Sequence, residues 1–297
     1  MKTAILGLHA ETSIHAGAGS ALDVIDLPIQ REAHTNWPCV FGSAVKGALR
    51  AAASASPLHS RAGEKPNPII EAVFGPENTT NEAYAGALLV GDARLLLLPV
   101  RSLTTHFKWI TCPAVLLRYQ RDAERMGKSV KFTVPTIEGD MQAIAATAGE
   151  VFLEEYRFEV KQADLTEIIN LTEIIKALTE VSDVANFKEA LKNQLMILND
   201  DDFSYLVKHA VPVTPHIAIK SETKAVIGGA LWYEETLPPE TLLYVCLAAN
   251  DARKKDSVLS ADAVLQTVQE MFATKPYLQL GGNETVGMGW CRVKVGA

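Results

Sequence analysis

Long hydrophobic runs and clustered cysteines are both missing from this chain of 297 residues. No uninterrupted apolar stretch reaches the roughly 18 residues that a membrane-spanning helix needs, so no such helix and no membrane partner are predicted. Cys39, Cys112, Cys246 and Cys291 are widely scattered and form no CxxC pair, which argues against a zinc site and a disulfide framework. We expect them to be small core residues in a reducing cytoplasm.

A surplus of basic residues is also absent. The chain has 28 Lys and Arg against 35 Asp and Glu, for a net charge of −7. Binding of phosphate backbones depends on basic surface, so a nucleic-acid binder of this composition needs a local basic groove. There is no GxxxxGK[ST] phosphate loop, and "GAGSAL" at 17–22 lacks the third glycine of a dinucleotide fingerprint. These absences weigh against a stand-alone nucleotide-binding enzyme.

Strand and helix patterns alternate along the chain and predict an α+β fold with long insertions. Residues 56–84 are rich in Pro, Asn, Glu and Gly, and predict an inserted loop with one turn around 70–74. Two β-like arms, 211–219 and 224–233, flank the polar "KSET" and predict a β-hairpin. Periodicity predicts strands over 3–9, on both sides of Gly91–Asp92, over 150–162 and over 241–250. It predicts helices that start at Ser43 and that span 112–127, 164–199 (with a break near 182–186) and 261–273.

Several short motifs follow one another in a distinctive order. The first three are "HAGAG" at 15–19, "DLPIQR" at 26–31 and "GSAVKGALR" at 42–50. They are followed by "GDARLLLLPVRS" at 91–102, "WITCPAVLLR" at 109–118, "GALWYEETLP" at 229–238 and "GGNETVGMGW" at 281–290. In this order they resemble the RAMP superfamily of CRISPR proteins, and within it the repeated backbone subunit of the type III-B (Cmr) effector complex. The resemblance runs from residue 5 to about residue 293 and is weakest over 56–84 and 164–205.

The resemblance implies a modified ferredoxin-like (RRM-like) palm with an inserted fingers region and a protruding β-hairpin thumb. On this basis the palm, with helical fingers elements, is expected over 1–55, 85–205 and 234–297. The inserted loop is expected over 56–84 and the thumb over 206–233.

The resemblance also implies a function. Copies of such a subunit stack head to tail along a guide RNA into a helical filament, together with other subunits of the complex. Each thumb displaces a nucleotide of the guide–target duplex, and the target RNA is cut beside it. The cut requires a divalent metal, Mg²⁺ or Mn²⁺, and leaves 2′,3′-cyclic phosphate and 5′-hydroxyl ends. The alternative hypothesis is a guide-RNA-binding scaffold that does not cut.

Asp26 is the position that matches the family's cutting residue. A single carboxylate there can act as a general base toward the 2′-hydroxyl of RNA or hold the metal ion. The alternative is that Asp26 only caps the Leu27–Pro28 turn. His15, near the end of the first predicted strand, is expected to position the scissile phosphate, or else to be structural. Asp23 is expected to face solvent.

RNA contacts are expected on the first predicted helix and in the glycine-rich loop. Lys46 and Arg50 lie four residues apart on one helix face, and the helix start at Ser43 adds an anion site, although such pairs are commonly solvated. In the C-terminal loop, glycines let a polyanion approach the backbone, although a tight turn explains them equally well. The remaining candidates for RNA contact are Gln30, Arg31, Gly282, Gly287 and Met288.

Three further groups are noted without a firm role. Glu234 and Glu235 are candidates for metal or hydrogen-bond support, but we expect surface carboxylates there. Trp232 and Trp290 can stack on bases, but tryptophans in strands more often pack against the core. Asp92 is a candidate for a second carboxylate near the groove, but Gly-Asp steps are common turns, and it is not counted among the catalytic residues.

Overall fold

One large mixed sheet and a separate hairpin carry the fold. The computed structural model describes residues 1–21, 24–55, 68–76, 84–161, 164–254 and 257–296. The elements in these ranges are β1 (Lys2–Ala10), β2 (Cys39–Val40), α1 (Gly42–Ala55), α2 (Pro68–Phe74), β3 (Leu88–Val90), β4 (Ala93–Arg101), β5 (Phe107–Thr111), α3 (Pro113–Arg125), β6 (Gln142–Ala145), β7 (Gly149–Leu153), β8 (Tyr156–Val160), α4 (Leu165–Thr179), α5 (Phe187–Gln194), β9 (Leu195–Leu198), α6 (Asp200–His209), β10 (Val213–Ile219), β11 (Val226–Glu235), β12 (Leu242–Ala249), α7 (Ala261–Phe272), β13 (Tyr277–Gln279) and β14 (Trp290–Gly296).

The centre of the sheet has ferredoxin-like topology. Strands β14, β1, β12 and β4 are neighbours in that order, and every pair is antiparallel. Helix α1 lies between β1 and β4 in the chain, and α7 lies between β12 and β14. Along the chain this core therefore reads β-α-β-β-α-β, with everything between β4 and β12 inserted. The α+β, ferredoxin-like prediction is confirmed.

A second part of the sheet extends beyond β4. Strand β5 pairs with β4, β9 runs parallel to β5, and β6, β8 and β7 complete the edge. Two sequence predictions are corrected here. Where one strand is predicted over 150–162, the described residues up to Val160 form the hairpin β7–β8, with a positive φ of 51° at Glu154 in the turn, and residue 162 lies outside the described part of the chain. The predicted helical segment 164–199 ends at Gln194, since β9 is held between β5 and β6.

Local signals explain where several helices begin. Asp164 accepts a hydrogen bond from the backbone of Glu167, whose side chain accepts one from the backbone of Asp164, so α4 starts with a capping box. Ser260 caps α7 in the usual way for a serine. Helix α3 begins with Pro113, whose missing N–H costs nothing in the first turn.

The central sheet is buried on both faces. Gly7 lies opposite Tyr244 in the β1–β12 pairing, and Tyr244 lies opposite Arg94 in the β12–β4 pairing, so these residues share one face. On that face the ring of Tyr244 packs on Tyr119 of α3, at 5.1 Å between ring centroids. The chain after α4 covers the same face so closely that a methyl group on Gly7 would overlap the carbonyl oxygen of Val181.

The hairpin β10–β11 forms its own two-stranded sheet, as predicted for the thumb. Its arms run over 213–219 and 226–235, whereas residues 206–209 of the expected thumb belong to α6. Both faces are largely exposed, including the apolar side chains of Ile217, Val226 and Leu231. The base of β11, in contrast, enters the body of the protein, where Glu234 and Glu235 are buried.

Three remaining expectations concern the cysteines, the membrane and the insertion. All four cysteines are free, three of them buried and Cys246 intermediate. Among the described residues no helix is both long enough and apolar enough to cross a membrane. Within the predicted insertion 56–84, the turn at 70–74 is confirmed as part of α2, while residues 56–67 and 77–83 lie outside the described part of the chain. Asp23 also lies outside it.

The packing at Gly7 is open to a direct test. We expect Gly7→Ala to lower the free energy of unfolding by about 1–3 kcal/mol or more, because the added methyl group has no space. Chemical denaturation measures the change. Gly47→Ala is the matched control: Gly47 lies in α1 with nothing within 4 Å of an added Cβ, so this variant should gain up to about 1 kcal/mol. Equal stability of the two variants would contradict the packing described for β1.

Candidate active site

The base of β11 presents its outer edge to the loop that carries Asp26. The Asp26 carboxylate oxygen Oδ2 accepts the backbone N–H of Tyr233 at 2.7 Å. The backbone of Leu27 pairs with the carbonyl oxygen of Tyr233 and with the N–H of Glu235. The last group on this edge, the carbonyl oxygen of Glu235, accepts a hydrogen bond from the ring of His15 at 2.8 Å. Asp26 and His15 are therefore attached to one strand edge, two residues apart, which is roughly 7 Å along a strand.

The contact with Glu235 determines which nitrogen of His15 carries the proton. A carbonyl oxygen only accepts hydrogen bonds, so Nδ1 of His15 must be the donor. In the neutral ring Nε2 is then unprotonated and able to accept a proton. Nε2 points toward Gly17, where a methyl group would lie only 2.9 Å away. His15 is buried, with a relative exposure of 9 %.

Glu235 holds the Asp26 loop from inside. One carboxylate oxygen accepts the N–H of Ile29 at 3.0 Å, and the other pairs with the guanidinium of Arg31 at 2.5 Å. Arg31 also donates to the carbonyl oxygens of Asn36 and Val207. The structure thus gives Arg31 an internal role, and its contact with RNA stays a prediction. The expectation of a surface carboxylate at Glu235 is wrong, because the residue is buried beside its counter-ion.

Glu234 connects His15 to the glycine-rich loop. Its carboxylate lies 3.6 Å from Nδ1 of His15 and accepts a hydrogen bond from the side-chain amide of Asn283. Glu234 is also buried, so the surface interpretation is wrong here too. The amide nitrogen of Asn283 reaches the sulfur of Met288 at 3.6 Å as well. Asn283 was missed by sequence reasoning, since an asparagine in a glycine-rich loop is an ordinary turn residue.

Glycine is required where this loop meets His15. The N–H of Gly282 donates to the carbonyl oxygen of His15 at 2.8 Å. Gly281 has a φ of +83°, and a methyl group there would overlap the same carbonyl oxygen. Gly287 has the same φ but open space around it, where it ends the short turn Glu284–Val286. Gly282, Gly287 and Met288 thus share one loop beside the site, and their contact with RNA stays a prediction.

Gln30 connects the Asp26 loop to the first helix. Its amide donates to the carbonyl oxygen of Gly17 at 3.0 Å and accepts the N–H of Phe41 at 2.6 Å. Helix α1 begins at Gly42, one residue before Ser43, and the N–H of Gly42 donates to the Asp92 carboxylate at 2.7 Å. Asp92 therefore already contributes a carboxylate to the helix start where the sequence suggested an anion site. Ser43 is exposed beside it.

Lys46 and Arg50 lie on α1 but contact neighbouring backbone, Lys46 at the start of β3 and Arg50 just after α2. The ammonium group of Lys46 donates to the carbonyl oxygen of Leu88 at 3.0 Å, and a guanidinium nitrogen of Arg50 donates to that of Gly75 at 2.6 Å. Burial, and then the positive charges of Arg50 and Arg253, lower the pKa of Lys46 below its ordinary value. Both side chains are partly buried, and guide-RNA binding by them stays a prediction.

The hairpin carries a stacked pair of rings. His216 and Trp232 lie opposite each other on β10 and β11, with ring centroids 5.5 Å apart and planes 16° apart. Trp232 therefore stacks within the hairpin itself. Trp290, at the start of β14, is 40 % exposed.

Hydrogen bonds around the hairpin base connect Asp26, His15, Gln30, Arg31 and the glycine-rich loop. Lys46 and Arg50 are not part of these connections. Within the described residues no group of three or more His, Cys, Asp or Glu side chains is arranged to hold a metal ion.

The buried pair Glu235–Arg31 leads to a stability prediction. We expect Glu235→Gln to lower the free energy of unfolding by about 3 kcal/mol, because it leaves the buried charge of Arg31 without its partner. The control is Glu150→Gln, which removes an exposed ion pair with Arg157 and should cost less than about 1 kcal/mol. In urea denaturation, adding Arg31→Met should cost less in the Glu235→Gln background than alone. Additive costs would show that the two charges do not depend on each other.

Comparison with known proteins agrees with this architecture. The family profile described as the RAMP superfamily matches residues 8–292. A Pyrococcus furiosus protein named CRISPR system Cmr endoribonuclease Cmr4 is 35 % identical, over 99 % of this chain and 95 % of its own length. A Saccharolobus solfataricus protein named CRISPR system CMR subunit Cmr4 is 28 % identical, over 95 % of this chain and 92 % of its own.

Solved structures show the same fold. The crystal structure of oligomeric Cmr4 from Pyrococcus furiosus superposes with a TM-score of 0.74 at 31 % identity, covering 100 % of this chain and 98 % of that one. A chain of the type III-B Cmr-beta complex bound to cognate target RNA, 20 % identical, shares the fold with a TM-score of 0.69, covering 99 % of this chain and 97 % of that one. With the family profile spanning nearly all of its length, the chain belongs to the RAMP superfamily.

Proposed function

We propose that this chain is the repeated backbone subunit of a type III-B CRISPR ribonucleoprotein, which binds guide RNA and cuts complementary target RNA at regular intervals. The observation that carries the proposal is the attachment of Asp26 and His15 to the base of the hairpin. A nucleotide displaced by the hairpin would be delivered beside a carboxylate and an imidazole. The relative from Pyrococcus furiosus is named an endoribonuclease, which supports cutting over a purely scaffolding role.

Assembly into a filament is part of the same proposal. An isolated two-stranded hairpin is marginally stable in water, and this one exposes apolar side chains along both arms. Packing against RNA and a second copy would remove these side chains from water. A solved relative at 31 % identity is described as oligomeric. We therefore propose that its partners, in the cytoplasm, are guide RNA, target RNA, further copies of the chain and other subunits of the complex.

The chemistry uses the nucleophile that RNA carries. The 2′-oxygen attacks the adjacent phosphorus, the bond to the 5′-oxygen breaks, and that oxygen takes a proton from water, so that a 2′,3′-cyclic phosphate and a 5′-hydroxyl result. The proton of the 2′-hydroxyl needs an acceptor, and Asp26 or, in the neutral ring, Nε2 of His15 can accept it. Oδ2 of Asp26 is held by the backbone of Tyr233, so the carboxylate is positioned before the RNA binds. Leu27 and Glu235 keep the loop from moving away from the hairpin.

At this site the described residues would offer a divalent metal, Mg²⁺ or Mn²⁺, few carboxylate ligands. Mg²⁺ is commonly bound by one or two carboxylates together with substrate phosphates and water. Asp26 is the partly exposed carboxylate at the hairpin base, whereas Glu234 and Glu235 are buried and already paired. Within the described part of the chain, the protein ligands at the hairpin base would then be limited to Asp26. A bound ion would stabilise the negative charge that develops on the phosphate.

Replacing Asp26 tests the catalytic part of the proposal. In the complex assembled with guide RNA, we expect Asp26→Asn to lower the cleavage rate by about 100-fold or more, because the base or metal ligand is lost. Target binding should persist, since asparagine keeps an oxygen for the N–H of Tyr233. Gel analysis of the regularly spaced fragments measures the first effect, and a filter-binding assay the second.

The control for this variant is Asp201→Asn. Asp201 is an exposed carboxylate in the first turn of α6, so the same change of charge occurs away from the hairpin base. It should cleave like the wild type. If Asp26→Asn also cuts at the full rate, the chain is a scaffold and the cut belongs to another subunit.

The metal is tested separately from Asp26. Chelation by EDTA should abolish cleavage by the wild-type complex, and added Mg²⁺ or Mn²⁺ should restore it, because a carboxylate is itself an anion and the negative charge on the reacting phosphate needs a cation to stabilise it. Persistent cleavage in excess EDTA would show that the cut does not require a metal ion.

A further inference from the structure

A second group of basic side chains lies on the face of the sheet that α3 covers. Three arginines of α3, namely Arg118, Arg121 and Arg125, are spaced to share one helix face, and Arg94 reaches them from β4. Together with Glu32, His34 and Asp122 they line a cavity of about 410 Å³. We call this cavity the arginine pocket. Its volume falls within the range of about 300–1,000 Å³ that is typical of ligand sites.

The acidic residues of the pocket hold its arginines in place. Asp122 pairs with Arg94 at 2.8 Å and with Arg125 at 2.9 Å, and it accepts a hydrogen bond from the hydroxyl of Tyr244 at 2.8 Å. Both carboxylate oxygens of Glu32 accept from one nitrogen of Arg118, at 2.6 and 2.8 Å. The guanidinium of Arg118 also stacks over the ring of Trp37 at 5.1 Å. These contacts therefore hold Arg94, Arg118 and Arg125 in position without a bound ligand.

The charges of the pocket do not cancel. Four guanidinium groups face two carboxylates, which leaves a surplus of two positive charges in a protein whose net charge is −7. Within the described part of the chain, Arg121 is exposed and has neither an ion pair nor a side-chain hydrogen bond. Arg125 is 61 % exposed and pairs with Asp122 through one of its nitrogens. Five N–H donors per guanidinium leave most of these groups available to an anion.

The lining indicates which kind of anion fits. All seven lining residues are charged or titratable, and no apolar side chain is among them. Protein interfaces are depleted of charged residues at their core and rely on apolar and aromatic anchors, which this pocket lacks. A planar, forked guanidinium matches the oxygens of a phosphate group, and arginine-rich polar surfaces are typical of contacts with nucleic-acid backbones.

We propose that the arginine pocket binds a phosphodiester group of an RNA strand, as a contact separate from the hairpin base. The loop that begins at Asp26 leads to Glu32 at the pocket, so one continuous segment connects the two sites. The inference rests on the proposed function only in taking RNA as the polyanion. It assigns Arg121 and Arg125 to backbone contacts that carry no sequence preference.

Salt dependence of binding tests the pocket. The full-length chain is titrated with a short fluorescein-labelled single-stranded RNA at several salt concentrations between about 50 and 200 mM. We expect Arg121→Ala to weaken binding about three- to tenfold, equally for RNAs of different sequence, and to reduce the slope of log K against log [salt] by about 0.7. The double variant Arg121→Ala/Arg125→Ala should reduce the slope by about twice as much as Arg121→Ala alone.

The matched control is Arg157→Ala, which removes one exposed arginine from the pair with Glu150 on the β7–β8 hairpin. It should leave the slope unchanged. A slope in Arg121→Ala equal to that of Arg157→Ala would overturn the proposal. Calorimetry with inorganic phosphate forms the second arm: if phosphate binding is lost in Arg121→Ala while the RNA slope is kept, the pocket takes small anions and the RNA assignment is wrong.

These outcomes are independent of cleavage. The slope is measured without guide–target pairing and without metal, so it tests the pocket even if Asp26→Asn cuts normally. Conversely, an unchanged slope would not affect the conclusion drawn from the Asp26→Asn cleavage assay.

Discussion

The rest of the site depends on the pairing of one short strand edge. An unpaired edge offers N–H and C=O groups that must find partners, in water or in the protein. At Tyr233 and Glu235 these groups are paired with the Asp26 carboxylate, the backbone of Leu27 and the ring of His15. The hairpin, the loop and the histidine are therefore positioned relative to one another by the same set of hydrogen bonds.

The charged residues around this edge have different roles according to their burial. Glu235 and Arg31 form a buried pair that holds the loop, and Glu234 holds Asn283 of the glycine-rich loop. Such groups are costly to bury alone, and their pairing makes their positions specific. Asp26 remains partly exposed beside them. Of these three carboxylates, Asp26 is thus the best placed to contact RNA, because Glu234 and Glu235 are buried.

Many elements of the fold could be predicted from periodicity and turn residues, and the wrong predictions over 150–162 and 195–198 have physical causes. The turn between β7 and β8 is made by Glu154 and Glu155, so it lacks the Gly, Asn or Pro that would mark a turn. The short apolar run "LMIL" at 195–198 suits a helix or a strand. It becomes β9 because β5 and β6 provide partners for its backbone on both sides.

The sequence by itself determined the α+β class and the hairpin, because these follow from local patterns. Its motifs, through their resemblance to the RAMP superfamily, implied the ferredoxin-like palm and singled out Asp26. Only the tertiary structure decided that Glu234 and Glu235 are buried, that Arg31 is an internal counter-ion, and that Asn283 reaches the hairpin base. The partners of these residues are far away in the chain: Arg31 and Glu235 are 204 positions apart. Burial and pairing at such separations depend on how the sheet is assembled, and no local pattern encodes them.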